Sequence, residues 1–292
     1  MRIAVAGSSG LLGTRVVNEL HHRGHQVLRL VRRPANGAGE RQWDPGRGKI
    51  QDAGLDDVDA VINFCGAGIA DARWTPQRKD ELRSSRVTTT RTLVSHLRAD
   101  GRCQRLLNGS AVGFYGNSGE EIRDEDSPAG TGYLADLVVE WEASAADAPV
   151  ATTHLRTGQV LTPTGGYLGK QWLPFKLGLG GRIGDGRQFV SWIHQTDYGN
   201  AVLFLLSSAV TGPVNLVGPN PVTNEEFTRQ FAAHLKRPAL MPIPTLALRV
   251  LFGSELVEEA LLSGTRALPR RLLDSGFSFT RPHLAGALGD LS

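Results

Sequence analysis

Cysteine is nearly absent from this sequence: Cys65 and Cys103 are the only two in 292 residues. Two thiols are too few for a disulfide framework, and neither has metal-ligand spacing, so both are expected to be buried and reduced and no metal site is expected. No apolar run approaches the roughly 20 residues of a membrane span. The short N-terminal apolar stretch leads straight into glycines without a cleavage pattern, so no membrane partner is expected and the cytoplasm is the expected location. Lysine is scarce beside arginine, net charge is only +3, and no basic block is interleaved with aromatics, which argues against a nucleic-acid partner. Internal repeats are lacking too. Glycine is plentiful, and its placement carries much of the information.

Arg2–Ala6 is an apolar run of the kind that forms a buried parallel strand. The turn Gly7-Ser8-Ser9-Gly10 follows, and then Leu11–Arg23, where Leu12, Val16, Val17 and Leu20 share one helical side and Gly24 closes the helix. Gln26–Val31 reads as a second strand, stopping at Arg32-Arg33-Pro34 and completing a βαβ unit. Further strands are expected at Ala60–Asn63, Leu106–Ser110 and Ala151–Leu155, and helices over Thr75–Ala99 and Tyr133–Ala146. Asn36–Gly54 reads as loop with a short strand near Arg41–Trp43, and Gly113–Gly130 as an acidic loop. Gln188–Ile193 and Pro213–Leu216 read as strands, Asp197–Ser207 as a helix, and Asn224–Leu235 as a helix capped by Thr223 or Asn224. Alternating strands and helices imply an α/β fold: a Rossmann-type doubly wound parallel sheet with a smaller, mostly helical C-terminal substrate lobe. The nucleotide-binding domain is expected over residues 1–160, with 188–216 returning to it. Residues 161–187 and 217–292 should form the smaller lobe over the C-terminal ends of the strands.

Gly7, Gly10 and Gly13 have separate physical tasks. The strand-to-helix turn needs a residue without a Cβ, a pyrophosphate needs close backbone approach, and the helix needs a small residue to pack on the strand. The N–H groups of the helix N-terminus, around Leu11 and Leu12, then face the phosphates together with Ser8 and Ser9. About 20 residues beyond the triplet, where an acidic residue would hold the ribose 2′-hydroxyl of NAD, stand Arg32 and Arg33. Arginine suits a 2′-phosphate through charge-assisted, two-pronged hydrogen bonds. NADP(H) is therefore the expected cofactor, ahead of NAD(H).

Several longer stretches then become informative together: GSSGLLG at Gly7–Gly13, NFCGAGI at Asn63–Ile69, RWTPQRKDELRSSRV at Arg73–Val87, SAVGFYG at Ser110–Gly116, LADLVVEWE at Leu134–Glu142 and LRTGQVL at Leu155–Leu161. GLGGRIGDGRQFVSWIH at Gly178–His194 and LLSGTRALPRRLLDSGFSF at Leu261–Phe279 complete the set. In these the chain resembles the extended short-chain dehydrogenase/reductase superfamily, and more narrowly its atypical epimerase-like branch formerly labelled cell-division-inhibitor-like. The resemblance implies that Asn63, Phe64, Cys65, Gly66 and Ala67 line the adenosine side, with Arg86 among the cofactor-binding residues. It places Ser110, Ala111 and Val112 beside the nicotinamide, and Arg156, Thr157 and Gly158 near the nicotinamide end. The last ~70 residues are implied to be a family-specific C-terminal region, and homodimers are frequent in the superfamily.

Typical members of that superfamily carry a Tyr-x-x-x-Lys pair, the lysine lowering the tyrosine pKa so that the phenol can exchange a proton as hydride moves. Here Tyr133 is followed four residues later by Leu137, and the neighbouring register gives Leu134 and Val138. Candidates for the proton donor are Ser110, Tyr133 and Tyr115, with Lys176 and His194 as further polar groups from loops. Trp172, Phe175 and Trp192 are candidates for an apolar pocket wall. The expected function is an NADP(H)-dependent oxidoreductase acting on a small carbonyl or sugar-like molecule. The missing lysine keeps open a non-catalytic NADP(H)-binding regulator, and the broader family keeps open a nucleotide-sugar epimerase or dehydratase.

Overall fold

A strand with no polar face is stable only when both its faces are covered, and β1 (Arg2–Ala6) is placed accordingly. It pairs in parallel with β2 (Gln26–Val31) on one side and with the strand Ala60–Asn63 on the other. The computed structural model describes residues 1–239 and 241–291. Beyond β2, β3 (Glu40–Asp44) adds in parallel and β4 (Lys49–Ile50) turns back antiparallel. The polar stretch expected as mostly loop thus extends the sheet, because Arg41 and Trp43 point inward in strand alternation. In the other direction come β5 (Ala60–Asn63), β6 (Arg105–Ala111) and, after the short β7 (Ile122–Arg123), β8 (Ala151–Thr157). Next in the chain are β9 (Gln159–Leu161), β10 (Phe189–Val190), β11 (Trp192–His194), β12 (Gly212–Leu216), β13 (Val222–Thr223) and β14 (Arg266–Ala267).

The main sheet has eight strands in the order β12-β8-β6-β5-β1-β2-β3-β4. Successive strands move outward one way from β1 to β3 and the other way from β5 to β8. The reversal opens a crevice at the C-terminal ends of β1 and β5, the usual place for a ligand in an open α/β sheet.

Helices cover both faces. α1 (Leu11–His22) runs back along one face. α2 (Pro76–Ser95) and α3 (Tyr133–Ala143) cover the other, while α4 (Gly166–Lys176) belongs to the second lobe. α5 (Gln195–Ser207) returns to the α1 side, where Val16 and Leu20 meet Tyr198, Val202 and Leu205 over Val5 and Ile62. On the opposite face Ala4, Leu28, Val61 and Leu106 lie under Leu93 of α2. α2 begins sharply because Pro76 follows the Thr75 cap, whose hydroxyl accepts from Arg78 N at 3.1 Å. It stops at Ser95, short of the expected Ala99. Leu97 is buried and prolongs the apolar pattern past the last helical residue.

The smaller lobe is organised by α4 and α6 (Asn224–Leu235), around Leu168, Phe175, Trp192, Phe227 and Phe231. The stretch expected as one strand at Gln188–Ile193 is broken at Ser191. β10 pairs antiparallel with β13 and β11 parallel with β9. The Ser191 hydroxyl, donating to Thr265 O and accepting from Ala267 N, ties the break to the C-terminal segment. α7 (Thr245–Phe252) and shorter helices complete the chain. Among the described residues no helix is long and apolar enough to cross a membrane.

Candidate functional site

The crevice floor begins at the glycine turn. Gly7 has φ +74°, and a Cβ there would lie 2.7 Å from the Phe64 carbonyl carbon. A Cβ on Gly13 would lie 2.1 Å from Gly7 O, so α1 packs against the turn at a distance only glycine allows. Gly10 is the N-cap of α1 and brings no side-chain cap, which leaves the first N–H groups, at Leu11 and Leu12, without a side-chain acceptor. Such a helix end favours an anion. Ser9 and Leu11 are exposed beside it, whereas Ser8 is buried. Ser9, Gly10, Leu11 and Leu12 also line a cleft of about 400 Å³, closed by Thr14, Arg15, Thr162, Thr164 and Gln195. Its lining mixes hydroxyl and amide groups with apolar side chains, among them Leu11, Leu12 and Val160, and it adjoins the turn directly.

The two expected 2′-phosphate ligands differ in state. Arg33 closes both prongs of its guanidinium on Glu40, each at 2.7 Å, and donates also to Pro34 O. Its hydrogen bonds and the backbone N–H of Asn36 hold the Glu40 carboxyl at about 2, so the pair is fully charged at neutral pH. Arg32 stands exposed at the end of β2, close enough to Cys65 for its charge to act on that thiol. A third arginine, Arg29 on β2, donates from Nε to the buried Ser8 hydroxyl at 3.2 Å.

Across the crevice, the loop after β5 is fixed from below. Asn63 is fully buried. Its amide donates to Thr90 Oγ1 and Asn108 Oδ1, and its Oδ1 accepts from Cys65 N. This side chain stitches β5 to β6 and α2 and holds the loop, with no polar atom left over for a ligand. Cys65 keeps some surface, but burial pushes its thiol up to about 12, so it is protonated and unreactive at neutral pH. Arg86 donates to Leu82 O and Ala67 O and lies over the Trp141 ring at 5.2 Å. Burial pulls its guanidinium down to about 10, still charged at neutral pH. Gly66 packs closely on this cation: a Cβ there would sit 3.1 Å from Arg86 Cζ. Phe64 and Ala67 keep part of their surface exposed, Phe64 also packing on the core of the α1 side.

The next group of expected residues forms one buried network. Ser110, 4% exposed, donates to Glu142 Oε1 at 2.5 Å, and Glu142 holds Arg156 through two bonds of 2.8 Å. Arg156 Nη1 donates to the Tyr115 hydroxyl at 3.0 Å, which donates to Asn215 Oδ1 at 2.8 Å. Tyr115 is 1% exposed, and burial pushes its phenol up to about 12. The geometry favours structural roles for Ser110, Tyr115 and Arg156, because their polar atoms are already committed to each other. Ala111 keeps partial exposure above the network. Thr157 donates to Leu155 O, and Gly158 N donates to Leu216 O.

Tyr133 has a different setting. It stands half-buried at the first residue of α3, its hydroxyl donating to Lys79 O at 3.2 Å, with the Lys79 ammonium 4.6 Å from the ring centre. Burial raises its phenol, so it is protonated at neutral pH. Leu137 and Val138, where a lysine would stand, are buried. The other polar candidates lie elsewhere. Lys176 is exposed at the outer end of α4, over Trp172 at 5.7 Å. His194 is buried as the N-cap of α5, Nδ1 accepting from Thr196 N. The aromatic wall expected of Trp172, Phe175 and Trp192 is a correction. Phe175 and Trp192 are 1% and 0% exposed in the core of the second lobe, and Trp172 packs on Phe231, because these rings fill the apolar space between α4 and α6.

Residues 3–218 match the family model described as the NAD dependent epimerase/dehydratase family. The chain belongs to that family. Residues 243–291 match a second model, Domain of unknown function (DUF1731). An epimerase family protein of Mycobacterium bovis is 43% identical over 98% of this chain and 96% of its own length. The human epimerase family protein SDR39U1, solved with NADPH, superimposes with TM-score 0.91 at 34% identity, covering 100% of this chain and 99% of that one. A nucleoside-diphosphate sugar epimerase of Corynebacterium glutamicum gives TM-score 0.80 at 30% identity, over 100% of this chain and 58% of that chain.

This member of the epimerase/dehydratase family therefore departs from the Tyr-x-x-x-Lys pattern with an intact fold around the departure. Residues outside the expected set shape the site. Glu142 was legible as a carboxylate on the buried side of α3, four residues after Val138 and beside Trp141. Glu259 was not. It comes from a π-helical turn at Val257–Leu262 and its carboxylate accepts from Leu134 N at 3.3 Å, capping α3 from the C-terminal region.

Proposed function

We propose that this chain binds NADP(H) in the crevice and is an NADP(H)-dependent oxidoreductase acting on a small, partly apolar carbonyl or sugar-like compound. One observation carries the reading: the uncapped N-terminus of α1 and the exposed Arg32, whose charge acts on Cys65, border the same crevice, below a turn that tolerates no Cβ at Gly7 or Gly13. The human relative solved with NADPH supports the choice of cofactor. In this reading the turn and the Leu11 and Leu12 N–H groups hold the pyrophosphate, and Arg32 meets the 2′-phosphate. Phe64 to Ala67, with Arg86 behind Gly66, border the adenosine. The bound nicotinamide would supply hydride. The chain's own part is to orient that ring over Ala111, Thr157 and Gly158 and to hold a proton at Tyr133 Oη, the hydroxyl of the three candidates that lies outside the buried network. We assign residues 1–160 and 188–216 to the cofactor domain and the remainder to the substrate lobe.

The commitment of Ser110 and Tyr115 favours a second reading, a non-catalytic NADP(H)-binding regulator. Titration of NADPH and NADH followed by protein fluorescence, then a carbonyl-compound screen for NADPH oxidation, separates the two. Tighter NADPH binding with turnover supports the oxidoreductase. Tighter NADPH binding without turnover across the screen supports the regulator. Equal affinity for the two cofactors overturns the NADP(H) assignment itself.

A further inference from the structure

β2 carries an arginine that strand alternation alone does not explain. Leu28 and Leu30 point into the core beneath α2, so Arg29 points to the α1 face, into the space beside the glycine turn. Its backbone is held in the sheet, with its N–H donating to Gly39 O at 2.9 Å. Its side chain turns toward the turn and gives Nε to Ser8 Oγ at 3.2 Å. Ser8 is 3% exposed and is the second residue of the phosphate-binding turn. Arg29 therefore reaches the turn itself, from the strand that ends in Arg32.

The state of the neighbouring arginines makes this contact informative. A phosphate monoester is best held by more than one guanidinium, through several charge-assisted bonds. The sequence offers Arg32 and Arg33 for that task. Arg33 has both prongs on Glu40, and Glu40 receives a third bond from Asn36 N, which makes a closed, mutually neutralising pair. Recruiting Arg33 would require that pair to open. Arg29 spends Nε on Ser8, and no acceptor for its Nη groups is found among the described residues. Glu40, its register partner across the β2–β3 pairing, is already engaged by Arg33.

We infer that the 2′-phosphate is read by Arg29 together with Arg32 and Ser8, and that Arg33 serves only to neutralise Glu40. The inference rests on the NADP(H) reading above and assigns its specificity to a strand residue three positions earlier than the expected pair. Ser8 has a double task here: its hydroxyl accepts from Arg29 and keeps a proton to donate to a phosphate oxygen. The Glu40–Arg33 pair keeps a carboxylate so near the site from repelling the phosphate.

The test is equilibrium binding of NADPH, NADH, 2′,5′-ADP and 5′-ADP to the full chain and to Arg29→Leu, Arg32→Leu, Ser8→Ala and the double variant Arg33→Leu/Glu40→Leu. The double variant removes the closed pair without leaving an orphan carboxylate. Arg29→Leu and Arg32→Leu are each expected to weaken NADPH and 2′,5′-ADP about tenfold or more, with NADH and 5′-ADP changed less than about threefold. Ser8→Ala should show a smaller loss of the same selectivity, and the double variant should keep it. If Arg29→Leu retains the wild-type ratio of NADPH to NADH affinity, the inference is wrong; loss of that ratio in the double variant overturns it equally. A wild-type chain with no preference for the 2′-phosphate would instead remove the underlying NADP(H) reading. Circular dichroism and the retained 5′-ADP affinity show whether each variant is folded.

Discussion

Arg156 and Glu142 meet in a two-pronged ion pair, both bonds 2.8 Å long, beneath the C-terminal ends of β6 and β8. Arg156 also stacks on the Phe114 ring, 3.4 Å from its centre, and Tyr115 and Ser110 attach at opposite ends. Removing one charge from a buried pair strands the other, at a cost of about 3–5 kcal/mol. Glu142→Gln should therefore lower unfolding free energy by about 3 kcal/mol in urea. Ser110→Ala, which deletes one hydroxyl from a network that keeps its ion pair, should cost about 1 kcal/mol. Equal, small losses for both would show that the network is not what holds these strand ends together.

Gly13 and Gly10 give a sharper steric contrast. A Cβ at Gly13 meets Gly7 O at 2.1 Å, whereas at Gly10 the nearest atom is the same oxygen at 3.4 Å. Gly13→Ala must push α1 off the turn, an overpacking cost of about 1–3 kcal/mol, and the displaced N–H groups should cost at least tenfold in NADPH affinity. Gly10→Ala should fold normally, since no protein atom crowds its Cβ, but it should weaken NADPH about tenfold because the methyl group stands where the pyrophosphate approaches the backbone. Thermal melts with and without NADPH measure both effects at once.

The sheet and the cofactor crevice were readable in the sequence because each rests on a local signal. β1 is apolar from Ile3 to Ala6, Gly7 and Gly13 sit where a Cβ would clash, and α1 shows its buried stripe at Val16, Val17 and Leu20. The polar interior was harder to read. Ser110, Tyr115 and Arg156 have the residue types of a reactive site, yet their partners Glu142 and Asn215 come from α3 and β12, distant in sequence. Nothing local distinguishes a hydroxyl that faces substrate from one that faces a buried carboxylate. Trp172 and Phe175 misled for the same reason: their aromatic partner Phe231 lies on α6, more than fifty residues on. Arg33 was readable as an arginine but not as one already paired, since Glu40 arrives only when β3 aligns beside β2.

Tyr133 tests the oxidoreductase reading at one atom. Its hydroxyl rests on Lys79 O and takes no part in the Glu142–Arg156 network. Tyr133→Phe should leave NADPH affinity within about twofold and stability within about 1 kcal/mol, the scale of one hydrogen bond. If the phenol supplies the proton, turnover of any carbonyl compound found in the screen should drop by about 10²-fold or more. Unchanged turnover in Tyr133→Phe would remove Tyr133 from the chemistry.

His194 sets a pH dependence of stability. It caps α5 by accepting from Thr196 N at Nδ1, which requires that nitrogen to be unprotonated, and burial lowers its pKa below the ordinary value near 6.5. Burial lowers His154 in the same direction. Above about pH 6.5 both histidines are neutral in the folded and unfolded chain, and the stabilisation is fully present. As pH falls through that value the unfolded chain takes up protons first, so stability is lost toward acid. The melting temperature should fall steadily between pH 7.5 and pH 5.5. His194→Asn keeps an N-cap acceptor that does not titrate in this range. It should melt within a few degrees of wild type at pH 7.5 and lose less on acidification. An identical acid slope in wild type and His194→Asn would assign the pH dependence to groups other than this cap.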